Sequence, residues 1–299
     1  MGAFISAIPG AVAQGLIWGI MAIGVYITFR VLDFADLTVD GTLATGGAVL
    51  VITMMNGMNV YVALLLSFIA GCVAGLVTGV LNTSLGIPPI LAGILTQLAL
   101  YSVNLRILGK SNQALSIYKY HVLASMTDIT KAIIIVAIFV VAIIAILYWF
   151  FDTELGHSIR ATGCNQNMSR ANGINIKFTK IVALILSNGL VALAGGLLSQ
   201  YQGFADVNMG RGAIVIGLAA VIIGEVIFGK IFKNFALRLL AVAFGGIIYY
   251  IVMQFVINLG LNTDDLKLLT AVIVAIFLGI PYIKSQYAQK HIKSKGGNK

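Results

Sequence analysis

Charge is what this chain has least of. Only 10% of its 299 residues are Asp, Glu, Lys or Arg, against about 25% in an ordinary soluble domain. That scarcity excludes a water-facing surface of the usual composition. Acids are the rarer sign, ten against nineteen Lys plus Arg. The two cysteines are dissimilar, Cys72 lying in an apolar run and Cys164 in a polar one, so no disulfide framework is implied. His121, His157 and His291 are too scattered for metal-ligand spacing, and no metal site is expected. The nearest approach to a phosphate loop is "NLRILGKS", Asn104 to Ser111. It has Asn where the first glycine is required and follows an apolar run rather than a strand. No catalytic constellation remains, so the chain is not expected to be an enzyme.

What is present is apolar length. The chain is 60% hydrophobic, with a mean hydropathy of +1.01. "AIIIVAIFVVAIIAILYWFF", Ala132 to Phe151, holds 20 residues without a charge, enough to cross a ~30 Å hydrocarbon core. Apolar segments fall at roughly 8–29, 41–55, 60–82, 87–108, 131–151, 179–199, 211–229, 237–258 and 266–283. The expected fold is therefore all-α, a polytopic transmembrane helical bundle of about nine spans. The opening "MGAFISAIPG" has no basic residue before its apolar run and so lacks the n-region of a cleaved signal peptide. The net charge of +9 is concentrated beside the apolar runs: five lysines and no acid from Lys284 to Lys299, and four basic residues from Arg160 to Lys180. That placement marks a cytoplasmic side in contact with anionic lipid and argues against nucleic acid as a partner. The reading is a membrane domain over 1–283, with a cytoplasmic segment at 152–178, and a basic cytoplasmic tail at 284–299. Alternation of the spans then puts the N-terminus outside.

The second segment, "DGTLATGGAVLVITM", is too short for a complete span and predicts a broken or partly inserted helix. Just before it stand Asp33, Asp36 and Asp40. They either cap the next helix from a cytoplasmic turn or place an acid such as Asp36 at the mouth of a pathway. "LLSFIAGCVAGLVTGVLNTSLG" and "LLAVAFGGIIYYIVMQFVINLG" carry Leu65, Leu66, Gly71 and Gly86, and Leu239, Leu240, Gly245 and Gly260, at matching spacings. An inverted repeat is expected from them. Gln97, Tyr101 and Asn104 share one helix face. That face makes either a helix–helix hydrogen bond or the wall of a cavity. Arg106, near the outer end of the same span, is a candidate for a solute carboxylate. Glu225 either lines a pathway or pairs with Lys230.

One polar stretch interrupts the apolar pattern: "ELGHSIRATGCNQNMSRANGI", Glu154 to Ile174. It reads as two short helices, each stopped by a glycine, Gly163 and Gly173. Leu155 and Ile159 give the first an apolar edge. Such a basic amphipathic element lies on lipid or docks a soluble partner. From here "GHSIRATGCNQNMSRANGINIKFTKIVALILSNGLVALAGGLLS" resembles permease subunits of ABC importers, of the branched-chain amino-acid and ribose type. "DFADLTVDGTLATGGAV" is similar to a glycine-rich segment of the sugar branch. "GILTQLALYSVNLRILGKSN" and "GEVIFGK" look most like permeases for tryptophan or tyrosine uptake. The resemblance runs from about Gly15 to Tyr282. It departs at Gly224-Glu225, where a Gly-Gly pair is common, and in lacking an extra N-terminal span.

The resemblance implies a bacterial plasma-membrane permease whose coupling segment docks on a separate ATP-binding subunit. Glu154, Gly156, Arg160, Ala161, Gly163, Asn165, Arg170, Ala171 and Gly173 are the docking candidates. Gln97, Tyr101, Asn104, Arg106, Asp36 and Glu225 are the candidates for the solute pathway. The resemblance further implies no cofactor in this chain, with ATP and Mg on the partner. The implied partners are an extracytoplasmic solute-binding protein, membrane lipid and a second permease chain in a homodimer. An aromatic amino acid is the expected solute. The alternative is a secondary transporter or channel without an ATPase, for which the coupling-like segment has no use; a membrane scaffold without solute flux leaves the polar face at Gln97 unexplained.

Overall fold

The computed structural model describes residues 2–258 and positions 268, 270–272, 274–276 and 279, with side chains from residue 6 onward. Most of the expected ninth segment, 266–283, and all of the tail, 284–299, lie outside the described residues. Among the described residues the fold is helical, with one small ribbon. Among the described residues, six helices are long and apolar enough to cross a membrane. Two of the expected segments form shorter apolar helices instead.

Helix α1 (Gly2–Tyr26) runs into a π-helical turn, Ile27–Val31. The chain then loses helical structure before α2 (Val39–Met55) begins, and Asp33 takes a positive φ of 55° in between. At 1.5 Å per residue α2 is about 25 Å long, short of a hydrocarbon core. Helices α3 (Val60–Thr83), α4 (Pro89–Leu108) and α5 (Ile129–Phe151) follow, then α6 (Glu154–Cys164) and α7 (Gln166–Ala171). Helix α8 (Ile176–Gln202) is long, whereas α9 (Ala213–Phe228) is again short; α10 (Phe235–Asn258) ends the fully described part. The short second helix was expected. The shortness of α9, 16 residues, was not, because Arg211 and Gly212 at the head of the 211–229 segment do not belong to the helix.

Helices α1 and α8 are the central posts. Of their apolar windows, 83% and 72% is buried, against 22% for α4 and α5, which turn most of their surface outward. Small residues let backbones meet closely around α8. A Cβ on Gly46 would overlap the Ala192 carbonyl, one on Gly195 that of Leu43, and one on Gly71 that of Asn188. The two halves pack alike: α1 lies on α10 as α8 lies on α3, and α9 lies on α1 as α2 lies on α8. Val39 and Ala213, which open α2 and α9, are as far apart in the chain as Leu65 and Leu239, and as Gly2 and Ile176, which open α1 and α8.

The ribbon is antiparallel, β1 (Asn112–Ala114) with β2 (Phe204–Asp206), in the register Asn112↔Asp206 to Ala114↔Phe204. It ties the segment after α4 to the segment before α9, so the loop that leads into α9 is held beside α4. The Val207 N–H adds a bond to the Ser111 carbonyl at 3.0 Å.

Candidate functional site

The two short helices begin beside each other. Every helix start leaves amides without an intrahelical acceptor, and α9 has only Gly212 as its N-cap, at φ 87° and without a side chain to serve them. The acceptor comes from the other half. Asp40, in the first turn of α2, takes the Gly212 N–H on Oδ2 and the Ile214 N–H on Oδ1, both at 2.9 Å. A carboxylate suits this place twice, as acceptor and as the negative partner of the helix dipole.

Around this junction lies a cavity of ≈ 380 Å³, lined by Asp40, Gly41, Gln97, Leu98, Tyr101, Asn104, Val207 and Arg211. Its size is that of a small-molecule site. Three of its walls are the α4 face read from the sequence: Gln97, Tyr101 and Asn104. Asn104 is 1% exposed. Its Nδ2 donates to the Gly41 carbonyl at 3.4 Å, while its buried Oδ1 has no partner. A buried acceptor left unpaired is costly, and a solute donor would complete it. Asp40 and Arg211 bring one charge of each sign to the same cavity. They do not pair with each other; the ion pair among the described residues joins Arg30 and Glu225.

Behind the start of α2 a polar network is sealed from solvent. Asp36, 2% exposed, accepts the Asn188 Nδ2 at 2.7 Å on Oδ2 and the Thr38 N–H at 3.0 Å on Oδ1. Thr42 donates to Asn188 Oδ1 at 2.8 Å. Thr38 and Thr78 share a 2.8 Å hydroxyl bond, and Thr78 donates to Thr96 at 2.9 Å. The network joins α2, α3, α4 and α8, and Asp36 is its anchor rather than a wall of the cavity.

The polar stretch folds as two short helices at one end of the bundle. Thr153 caps α6, Asn165 caps α7 and Asn175 caps α8, each accepting a backbone N–H two or three residues into the helix. Gly173 ends α7 with φ 78°, as a terminating glycine should. Gly163 does not end α6; it sits inside the helix because a Cβ there would overlap the Val31 carbonyl. The inner face of α6 is Gly156, Ile159 and Thr162, whereas Leu155 is 41% exposed and does not join that edge. Thr162 bonds Thr179 of α8 at 3.0 Å. Arg160 lies over the rings of Phe235 and Phe151, 4.3 and 5.4 Å from their centroids. Helix α6 is thus fastened to the π-helical turn, to α5 and to α8, and through Arg160 to the first residue of α10. Glu154, Asn165, Arg170 and Ala171 face outward, and Ala161 is half-buried.

Besides Asp36, two more expected pathway residues lie outside this cavity. Arg106 is exposed and absent from the cavity wall; two residues beyond Asn104, it points to the opposite side of the helix. Glu225 pairs with Arg30 of the π-helical turn at 2.8 Å, not with Lys230, because α9 runs back along α1. Of the three acids Asp33, Asp36 and Asp40 that the sequence offers for the mouth of a pathway, Asp40 rather than Asp36 lines the cavity, and Arg211 joins it unforeseen. A lone cation between two glycines, "GRG", at the head of an apolar run was the available signal.

A family model described as "Branched-chain amino acid transport system / permease component" matches residues 8–281. The chain is 41% identical to a tyrosine transport system permease protein of Clostridioides difficile (strain R20291), over 91% of this chain and 90% of that one. It is 35% identical to an uncharacterized protein of Rickettsia prowazekii (strain Madrid E), over 90% and 95%. It is 27% identical to the fructose import permease protein FruF of Bifidobacterium longum (strain NCC 2705), over 87% and 73%.

Proposed function

Because the chain belongs to the permease components of branched-chain amino acid transport systems, we propose that it forms the solute path of an ATP-driven importer for an aromatic amino acid. A subunit of this family is a multi-pass membrane transport protein and not itself an enzyme. The observation that carries the reading is the cavity at the α2–α9 junction. An amino acid is a zwitterion, and the cavity offers Arg211 for the carboxylate, Asp40 for the ammonium group and Tyr101 for an aromatic side chain. Both Asp40 oxygens already accept one N–H, and each keeps a second lone pair for the ammonium group. The name of the 41% identical relative, a tyrosine permease, agrees.

The mechanism follows from how the ends are fastened. A separate ATP-binding subunit, carrying ATP and Mg, docks on the outward face of α6–α7, where Glu154, Asn165, Arg170 and Ala171 are exposed. Gly156, Arg160, Gly163 and Gly173 serve the docking indirectly, by shaping the segment and holding it to the bundle. Since α6 is clamped to the π-helical turn that ends α1, to α5 and α8, and through Arg160 to the start of α10, a push on it moves those elements as one lever and changes which end of the cavity is open. The α6 end is then cytoplasmic and the N-terminus outside. The halves run in opposite directions, and about nine spans result. An external binding protein delivers the solute at the far end, and two copies of the permease assemble around the path.

The test is tyrosine uptake into proteoliposomes holding the permease, its ATPase and the binding protein. ATP-dependent accumulation, lost with Arg170→Glu together with ATPase co-purification, is the expected result. Equal uptake without ATP or ATPase would make the chain a secondary carrier.

A further inference from the structure

At the α6 end, a second cavity of ≈ 470 Å³ opens between the π-helical turn, α6 and the start of α10. Arg30, Arg160, Lys233 and Arg238 line it, and no carboxylate does. Glu225 lies outside its wall and occupies the Nε of Arg30. Glu225 lines the adjoining cavity, which shares Arg30 and Arg238, and pairs with Arg30, so three of the four cations have no ion-pair partner among the described residues and repel one another across the space. Arg160 adds a sharper mark. Its guanidinium is held over Phe151 and Phe235, and its Nε is buried without any hydrogen-bond partner.

We propose that this cleft binds a phosphate group, and that the phosphate of an anionic membrane lipid is its natural occupant. Planar guanidinium forks match phosphate oxygens in pairs, and the fixed rings set the angle of the Arg160 fork in advance. The lipid source is favoured by what flanks the cations. Phe29 is 40% exposed beside Arg30, Leu237 36% exposed beside Arg238, and Ile231 70% exposed two residues before Lys233. An acyl chain lying on those side chains would present its headgroup to the cleft.

The test uses the full-length permease in mild detergent, titrated with phosphatidylglycerol, phosphatidylcholine or inorganic phosphate. Bound lipid is counted by native mass spectrometry, and thermal melting is followed in parallel. Lys233→Gln/Arg238→Gln removes two exposed cations of the cleft and leaves Arg160 on its two rings; Arg238 also bonds Tyr26, so the Lys233→Gln single variant serves if the pair misfolds. A matched control, Lys110→Gln/Lys119→Gln, removes two cations beyond α4, away from the cleft. Phosphatidylglycerol is expected to bind the wild type and the control alike, and the cleft variant about 30-fold more weakly, the effect of losing two cations beside an anionic headgroup. Binding of inorganic phosphate that is lost in the cleft variant, without selective binding of phosphatidylglycerol, keeps the phosphate site and changes its source to a soluble anion. Equal lipid binding in the wild type and the cleft variant, or equal loss in the control, overturns the proposal. So does loss of ATPase association in the cleft variant with lipid binding unchanged, which would give the cleft to the protein partner.

Discussion

Helices α2 and α9 begin in equivalent places of a repeated packing frame, yet their starts are built from different chemistry. The start of α2 is held by an acid of its own segment: Asp36 takes the Thr38 N–H and is itself steadied by a bond that Asn188 of α8 donates to it. The start of α9 has no capping side chain of its own to accept its first amides and depends on Asp40 from the opposite half. Packing repeats because it rests on small residues and helix lengths, which two halves can share. The site does not repeat, because acids are present in only one half of the junction and Arg211 only in the other. A solute with two unlike charges needs that inequality, and a symmetric junction would offer it two equal ends.

The largest effect should come from breaking the cross-half cap. Asp40→Ala leaves the Gly212 and Ile214 amides without their acceptor and removes the negative wall of the cavity. A loss of about 2 kcal/mol or more is expected from two unserved, partly buried donors, with uptake falling at least about 100-fold. Thermal melting and initial uptake rates check both. Uptake within tenfold of wild type would mean that α9 does not need Asp40 for its position.

Arg211→Ala separates the two roles that Asp40 combines. Arg211 is exposed to the cavity and caps nothing, so melting should stay where it is. Losing a charge-assisted bond to a carboxylate of about 2 kcal/mol raises KM for uptake by about 30-fold. A smaller change belongs to Gly212→Ala. At φ 87° the added Cβ strains the backbone, although nothing lies within 4 Å of it. The expected cost is about 1 kcal/mol, seen as a few degrees in Tm with KM nearly unchanged.

Much of this was legible in the sequence, and the misses share a cause. Apolar length gave α1, α3, α4, α5, α8 and α10 within a few residues, and the shortness of "DGTLATGGAVLVITM" gave the short α2, which is continuous rather than broken. Spacing on one helix gave the Gln97, Tyr101 and Asn104 wall, because that regularity is local. Gly163 was misread because a glycine near a helix end looks the same whether it terminates the helix or admits another backbone, and the Val31 carbonyl that decides between them is remote in the chain. Lys230 was offered as the partner of Glu225 for nearness in sequence, while Arg30 stands 195 residues away. Asp40 capping α9 is the same kind of fact. Such pairings follow from how the halves embrace each other, which composition and periodicity do not encode.

The smallest effect is expected from Arg106→Ala, and it is informative for that reason. Arg106 and Arg211 are both exposed cations close in space to the α4 end of the fold, and on charge alone either suits a solute carboxylate. Geometry separates them. Two residues past Asn104 the helix has turned by about 200°, so Arg106 lies across α4 from the cavity that Arg211 enters. Unchanged KM and rate for Arg106→Ala, beside the raised KM of Arg211→Ala, would tie recognition to the junction of the half-helices rather than to positive charge at that end of the molecule. If Arg106→Ala raised KM as much as Arg211→Ala, a diffuse field would account for both, and the unequal starts of α2 and α9 would no longer explain how the solute is held.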